Sequence, residues 1–345
     1  MLSILILACG QPDSLPLGDS GEPRPFVPMD GLTDPPDVTT ARLCAESADP
    51  DAAADPIFID CALESGLLAG ERPEPTGELV VMAYNLERGQ RLDEILAWLG
   101  ESAPQADVLL LSELDRGCAR TGGRHVTWEV AAALGMDFVY AVEFLEVRGE
   151  GGAVVEACEH GNAVLSRWPM GNVTAYRHSE NVSWYTPPES RGDAWATRLG
   201  GRIAVAADIL VGDQIVHLTS VHLASGVFDQ AVRAAQAAET VARNADAPGP
   251  VIIGGDTNAG LYVADLRSGE DNDTVTQAWL AAGYADAHEG LPTDARVTAP
   301  AYGFVLDLIF GRGVRFSEPA ICSTEACGAL SDHYPVWVTA EVSVQ

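Results

Sequence analysis

The stretch at 251–260 reads VIIGGDTNAG, and its meaning decides how the rest of the chain is read. Three β-branched residues and a glycine pair lead into Asp256, Thr257 and Asn258. Gly, Asp and Asn are ordinary turn residues, so a strand ending this way can simply be reversing direction. The same ending can also deliver a carboxylate and an amide to one point.

The neighbouring segments supply the context. ELVVMAYN (78–85) and DVLLLSE (107–113) read as buried strands, and FVYAVEFLEV (138–147) and NAVLSRWP (162–169) as further strands. In RLDEILAWLG, Leu92, Ile95, Leu96 and Leu99 fall at helical spacing and Gly100 is expected to stop the run. VTWEVAAALG (126–135) reads as a helix closed by glycine, and helices are also expected over 228–243 and 273–283. RIAVAADIL and QIVHLTSVHL flank Val211-Gly212-Asp213 as a hairpin, and VLDLIF (305–310) and PVWVTAEV (335–342) are late strands. Hairpins mixed with strand–helix–strand units imply α/β layers with mixed sheets.

The 345 residues suffice for one large core or two modest ones. Fifty acidic residues face twenty basic ones, for a net charge of −30; every one of the twenty is arginine and lysine is absent. That balance argues against broad affinity for polyanions, which rests on basic residues neutralising phosphates. A bound divalent cation would offset it locally.

The opening MLSILILACG places small residues before Cys9 after an apolar run, which resembles the lipobox of bacterial lipoproteins. On that reading residues 1–9 are a signal remnant and Cys9 carries a lipid membrane tether. The alternative is a buried strand with an incidental cysteine. The basic n-region of a signal peptide is absent, which would put the true start upstream of Met1. Residues 10–40, rich in Pro, Gly and Asp, read as a disordered tether, and 41–77 as a small cap stapled by Cys44 and Cys61. The folded domain is expected over 78–345, as a monomer. Six cysteines besides Cys9 fit an oxidising, extracytoplasmic compartment, and proximity favours pairs 44–61, 118–158 and 322–327.

Polar residues at strand ends carry the functional signal. Asn85 and Glu113 end the first two strands, His222 ends the hairpin, Asp256 and Asn258 follow, and Asp332-His333 open the last strand. Taken singly, each has a structural explanation through local hydrogen bonding. Asp307 is different, because an acid among Val305, Leu306, Leu308, Ile309 and Phe310 must be buried and paired, and histidine is the natural partner.

As a series, AYNLERG (83–89), LLLSELD (109–115), GNAVLSRWPM (161–170), VHL (221–223), GGDTN (254–258), LDLIF (306–310) and SDHYPV (331–336) resemble the endonuclease/exonuclease/phosphatase superfamily of metal-dependent hydrolases. The resemblance spans about 78–342. It implies a four-layer α/β (α+β) sandwich, with two mixed sheets packed face to face and flanked by helices. It further implies Mg²⁺ or Mn²⁺ held by Glu113, Asn85 and Asp332, and a catalytic His333 oriented by Asp307. Asp256 and Asn258 then position the attacking water, and His222 contacts the phosphate. Asn162 and Arg167 are candidate substrate-binding residues; for His160 a pocket-lining and a loop position both stand open. Arg233 and Gln236 match a supporting helix motif. Leu308 departs from the aromatic residue often found there. The substrate implied is a small or lipid-linked phosphate ester, with an extracellular nuclease acting on nucleic acid as the alternative and a non-catalytic binding lipoprotein as a third reading. A groove of Arg116, Arg120, Arg124, Arg167 and Arg177 would favour the nuclease.

Overall fold

The computed structural model describes residues 25–38, 63–150, 153–182, 197–225, 229–262, 273–322, 327 and 329–342. Two mixed sheets form the centre. The first contains β1 (Glu64–Gly66), β2 (Glu78–Arg88), β3 (Val108–Arg116), β4 (Asp137–Glu150), β5 (Ala153–Ser166), β7 (Thr197–Gly200), β13 (Arg315–Ile321) and β14 (Val336–Glu341). Their order is β1-β4-β5-β3-β2-β14-β13, with β7 beside β4. The second contains β6 (Met170–Arg177), β8 (Ile203–Val211), β9 (Gln214–His222), β10 (Val251–Tyr262), β11 (Ala285–Asp286) and β12 (Phe304–Arg312), ordered β11-β12-β10-β9-β8-β6. Each sheet has one parallel pair, β2 with β3 and β9 with β10, and the other pairs are antiparallel.

Period-two alternation sorts the side chains into layers. Leu79, Val81 and Ala83 of β2, Val108 and Leu110 of β3 and Val164 of β5 face inward. They meet Val205, Ala207, Ile209, Val216, Leu218, Ile252 and Ile309 from the second sheet. The intervening residues face outward under helices. Helices α1 (Leu92–Glu101) and α2 (Val126–Leu134) cover Met82, Tyr84, Leu109 and Leu111. Helices α3 (Gln230–Arg243) and α4 (Thr274–Ala281) cover Val221, Ile253 and Phe310. Helix, sheet, sheet and helix make the expected four layers. Each fully buried aliphatic side chain contributes about 1.5–3 kcal/mol by leaving water.

Local details depart from the sequence reading. Helix α1 runs through Gly100 and buries Leu92, Ile95, Trp98 and Leu99, so Trp98 takes the inward position expected of Leu96. The strand of the opening stretch does not end at Asp256 but continues to Tyr262, with its pairing to β12 broken between Asp256 and Leu261. Its glycines serve packing. A Cβ on Gly254 would lie 2.8 Å from the Leu110 side chain of the other sheet, and one on Gly255 (φ +135) 2.2 Å from the Val221 carbonyl oxygen. Asp273 caps α4 as a helix N-cap, accepting from the backbone N–H groups of Val275 and Thr276.

The expected tether and cap boundaries also shift. Residues 25–38 lie against the domain as a strap between the edges of the two sheets. Met29 N–H donates to the Met170 carbonyl at 3.0 Å, and Leu32 N–H to Ser65 at 2.8 Å. Asn172 accepts from Val27 N–H and donates to the Pro25 carbonyl, while Arg116 Nη2 donates to the Asp37 carbonyl. Met29 enters the inter-sheet core. Strand β1, inside the expected cap, pairs with β4 and so belongs to the first sheet. The Cys44–Cys61 pair and the Cys9 segment lie outside the described residues. Met29→Ala is expected to lower the unfolding free energy by about 2–3 kcal/mol, seen as an earlier urea midpoint. An unmoved midpoint would show that the strap adds nothing to the core.

Candidate active site

Inward-facing positions of the core layer lead directly into the candidate site. On β2 the inward series 79, 81, 83 continues to Asn85; on β9, 216 and 218 continue to His222; on β10, 252 continues to Asp256; on β12, 309 leads back to Asp307. On β5 the inward position 164 leads back to Asn162 and His160. At this end every strand changes from apolar to polar on one face. Parallel pairing puts the ends of β2 and β3, and of β9 and β10, on the same side.

The pairing is irregular here on four strand pairs. Breaks fall between Asn85 and Arg88, between Leu111 and Leu114, between Val142 and Phe144, and after Asp256. Such bulges re-aim side chains. Glu113 (φ 55) and Asn258 (φ 47) adopt the left-handed conformation that non-glycine residues rarely occupy. Strain of this kind concentrates where a site fixes a side chain.

Asp256 is the meeting point. In the sheet it is flanked by His222 on β9 and Asp307 on β12. Asn85 reaches across from the first sheet and donates from Nδ2 to Asp256 Oδ2 at 2.9 Å. Asn258 N–H donates to Asp256 Oδ1 at 2.9 Å, and the Asn258 amide donates to the Leu223 carbonyl. His222 Nε2 lies 3.4 Å and His333 Nε2 3.9 Å from Asp256 Oδ2.

His333 is paired as the buried Asp307 required, with Nδ1 2.7 Å from Asp307 Oδ2. Thr298 Oγ1 accepts from the Asp307 and Leu306 N–H groups and so fixes the strand. Burial pushes Asp307 up, and the His333 charge opposes this. For His333, burial favours the neutral ring, but Asp307, Asp256 and Asp332 together raise it well above the ordinary histidine range. Nδ1 is thus committed to Asp307, with Nε2 presented toward Asp256.

A second group of carboxylates lies beside these. Burial raises Glu87, and the Asp332 charge adds to it. Partial desolvation raises Asp332, His333 opposes, and Glu113 and Asp256 raise it further. Burial would raise Glu113 too, but His160, His222, Arg88 and Arg198 outweigh it and hold its carboxyl at about 2. Glu113, Asp332 and Glu87 thus concentrate negative charge on oxygen donors, which fits a hard divalent cation. Asp256, Asp307 and His333 form the one group among the described residues whose ligand atoms lie within coordinating distance of one another. The Asp307–His333 hydrogen bond, which occupies His333 Nδ1 and Asp307 Oδ2, argues against a cation there. Asn85 holds two partners, since its Oδ1 accepts from Glu87 N–H while its amide serves Asp256. Asp307 Oδ1, His160 Nε2 and both polar atoms of Asn162 are buried with no protein partner. Buried polar atoms are almost always paired, so these point to water or substrate oxygens.

Some residues surround the site that the sequence reading did not single out. Glu87 is one. Glu143 is another: it is fully buried, pairs with Arg202 at 2.6 Å and lies 3.0 Å from His222 Nδ1. Its signal was available, because Glu143 sits between Val142 and Phe144 much as Asp307 sits in its own apolar run. His160 stands on β5, 3.2 Å from Asp115, and is not a loop residue. Gln236 and Arg233 clamp the segment after His222, both bonding the backbone of Ala224. Disulfides Cys118–Cys158 and Cys322–Cys327 brace the approaches to His160 and to Asp332-His333. Arg167 is not brought to the site. It follows the end of β5 where Ser166 pairs with Val108, at the opposite end of β3 from Glu113.

The arginines that would favour a nuclease form no groove among the described residues. Arg116 pairs with Glu64 and Glu159, Arg120 with Asp115 and Glu146, and Arg124 with Asp93 and Glu129. Arg177 is buried against the carbonyls of Glu143 and Gly201.

Comparison with known proteins agrees with this fold. The sequence profile of the endonuclease/exonuclease/phosphatase family matches residues 82–333. Curated proteins yield no match by sequence. Among solved structures, an endonuclease/exonuclease/phosphatase from Beutenbergia cavernae is 18% identical with a TM-score of 0.55, covering 79% of this chain and 72% of that one. TDP2 from D. rerio, complexed with single-strand DNA product, is 18% identical with a TM-score of 0.52, covering 76% and 98%. The human Nocturnin catalytic domain with bound sulfate is 16% identical with a TM-score of 0.51, covering 79% and 97%. At these identities the likeness is one of fold.

Proposed function

The chain belongs to the endonuclease/exonuclease/phosphatase family, and on that premise we propose that it is a divalent-metal-dependent hydrolase of small or lipid-linked phosphate esters. The observation that carries the reading is the hydrogen-bonded His333–Asp307 pair, whose Nε2 lies 3.9 Å from Asp256, with the Glu113, Asp332 and Glu87 carboxylates beside it. Glu113, Asp332 and Glu87, with Asn85 beside them, would hold Mg²⁺ or Mn²⁺. When bound, that ion neutralises phosphoryl charge and favours departure of the leaving oxygen.

The chain's own residues then divide the remaining work. Asp256 accepts a hydrogen bond from the attacking water and orients it toward phosphorus; Asn85 and the Asn258 N–H hold both of its oxygens in place. His333 Nε2–H donates to a phosphoryl oxygen, where charge builds during in-line attack. His222 makes a second such contact, its other nitrogen steadied by Glu143. Asn162 and His160 offer their unpartnered atoms to the substrate.

A small substrate is favoured by the internal pairing of the rim arginines, which leaves no described cationic track for a polyanion. The leader and the two disulfides support export, with anchoring through Cys9. Labelled palmitate should be incorporated by the wild type and not by Cys9→Ser. The substrate class is tested by a magnesium-dependent screen of bis-p-nitrophenyl phosphate, simple monoesters, sphingomyelin and plasmid DNA. Turnover of small or lipid esters, lost with EDTA, is expected to exceed DNA cleavage. Cleavage of plasmid DNA as the dominant activity, falling steeply with salt as multiple phosphate contacts require, would establish the nuclease instead.

A further inference from the structure

Arg88 stands apart from the other described arginines. Around the site each cation has a carboxylate: Arg198 and Arg120 share Glu146, Arg202 has Glu143, and Arg116 has Glu64 and Glu159. Away from it, Arg72, Arg243, Arg296 and Arg315 are likewise paired with acids, and Arg91, Arg177, Arg233 and Arg312 donate to backbone carbonyls. Arg167 meets the Gln105 carbonyl once that amide is oriented to accept. Arg88 has no ion pair and no hydrogen bond from its side chain, and its Nε is buried without a partner.

Its placement is built into the backbone. Glu87 (φ 47), Arg88 (φ 68) and Gly89 (φ 80) are three consecutive left-handed residues, two of them with side chains that disfavour this conformation. The turn they make breaks the β2–β3 pairing after Asn85 and resumes it with Arg88 opposite Leu114, the residue after Glu113. No ion pair joins Arg88 to Glu87, its neighbour in the turn, or to Glu113, which precedes its pairing partner Leu114. A guanidinium held near acids without touching them, in a strained turn at the site's rim, is arranged for an external anion. Its planar fork matches phosphate oxygens in a bidentate fashion.

We propose that Arg88 binds the non-bridging oxygens of the substrate's phosphoryl group. The proposal rests on the phosphoester-hydrolase reading above and deepens it.

Arg88→Gln and Arg88→Lys in the full chain test it. Two readouts are used: KM and kcat for bis-p-nitrophenyl phosphate with magnesium, and the affinity for inorganic phosphate by calorimetry. Arg88→Gln is expected to raise KM and weaken phosphate binding about tenfold or more, with a smaller change in kcat. Arg88→Lys is expected to recover part of both. Wild-type phosphate affinity in Arg88→Gln overturns the proposal, as does a fall in kcat alone with KM unchanged. If the wild type hydrolyses no phosphoester, the hydrolase reading fails; the phosphate measurement then decides on Arg88 separately.

Discussion

Replacing His333 with alanine should lower kcat about a thousandfold, within the range found for removal of a positioned acid–base group. The ring has one nitrogen tied to Asp307 at 2.7 Å and the other turned toward Asp256, so no neighbouring side chain can take its place. Asp307→Asn should approach the same loss while keeping the shape, because a neutral amide no longer holds the ring protonated. Single-turnover rates on bis-p-nitrophenyl phosphate, with circular dichroism to verify folding, measure both. A folded His333→Ala protein within threefold of wild type would remove His333 from the chemistry.

Glu143→Ala should cost about 3–5 kcal/mol of stability, the usual penalty when one partner of a buried pair is removed. Arg202 is 2% exposed and would retain its buried charge without the Glu143 carboxylate that pairs with it at 2.6 Å. Burial alone would raise the Glu143 carboxyl, but Arg202 and His222 hold it well below the usual carboxylate range. A lowered carboxyl contributes stability that is complete above pH 4.5, its ordinary value, and is lost as the pH falls toward the folded value. The gap between wild type and Glu143→Ala should therefore narrow in acid. A double variant, Glu143→Leu with Arg202→Met, should regain most of the loss, since an apolar pair needs no partner. Urea unfolding without added metal reads all three. A Glu143→Ala midpoint equal to wild type would mean that Arg202 finds other compensation.

Much of this arrangement is legible in the sequence. Apolar alternation separates inward from outward residues on β2, β3 and β10, and the polar residue that ends each inward series marks the candidate site. The rule that a buried acid needs a partner leads from Asp307 to His333. The same rule applied to Glu143 leads to Arg202 and His222. Register is harder to read. The four breaks around Asn85, Glu113, Glu143 and Asp256 depend on two strands at once, so a single segment cannot display them. For that reason VIIGGDTNAG looks like a strand that stops, although it continues past a bulge. Arg167 follows a motif whose far end lies away from the site, and sequence adjacency hides that distance. The strap is held largely by backbone hydrogen bonds and one methionine. A composition of Pro, Gly and Asp says nothing about where carbonyls and N–H groups find partners.

The strap also constrains the order in which the molecule assembles. Its anchors at Asn172 join Pro25 and Val27 to a residue 147 and 145 positions later. At ribosomal rates those positions take roughly 7–30 s to make, so the first described residues to emerge wait for the middle of the chain before that end of the strap is secured. Until then Met29 has no core to enter, and the sheet edges it will span are still forming. The end of the chain that is synthesised earliest therefore closes onto partners in β1 and β6 that are made after it.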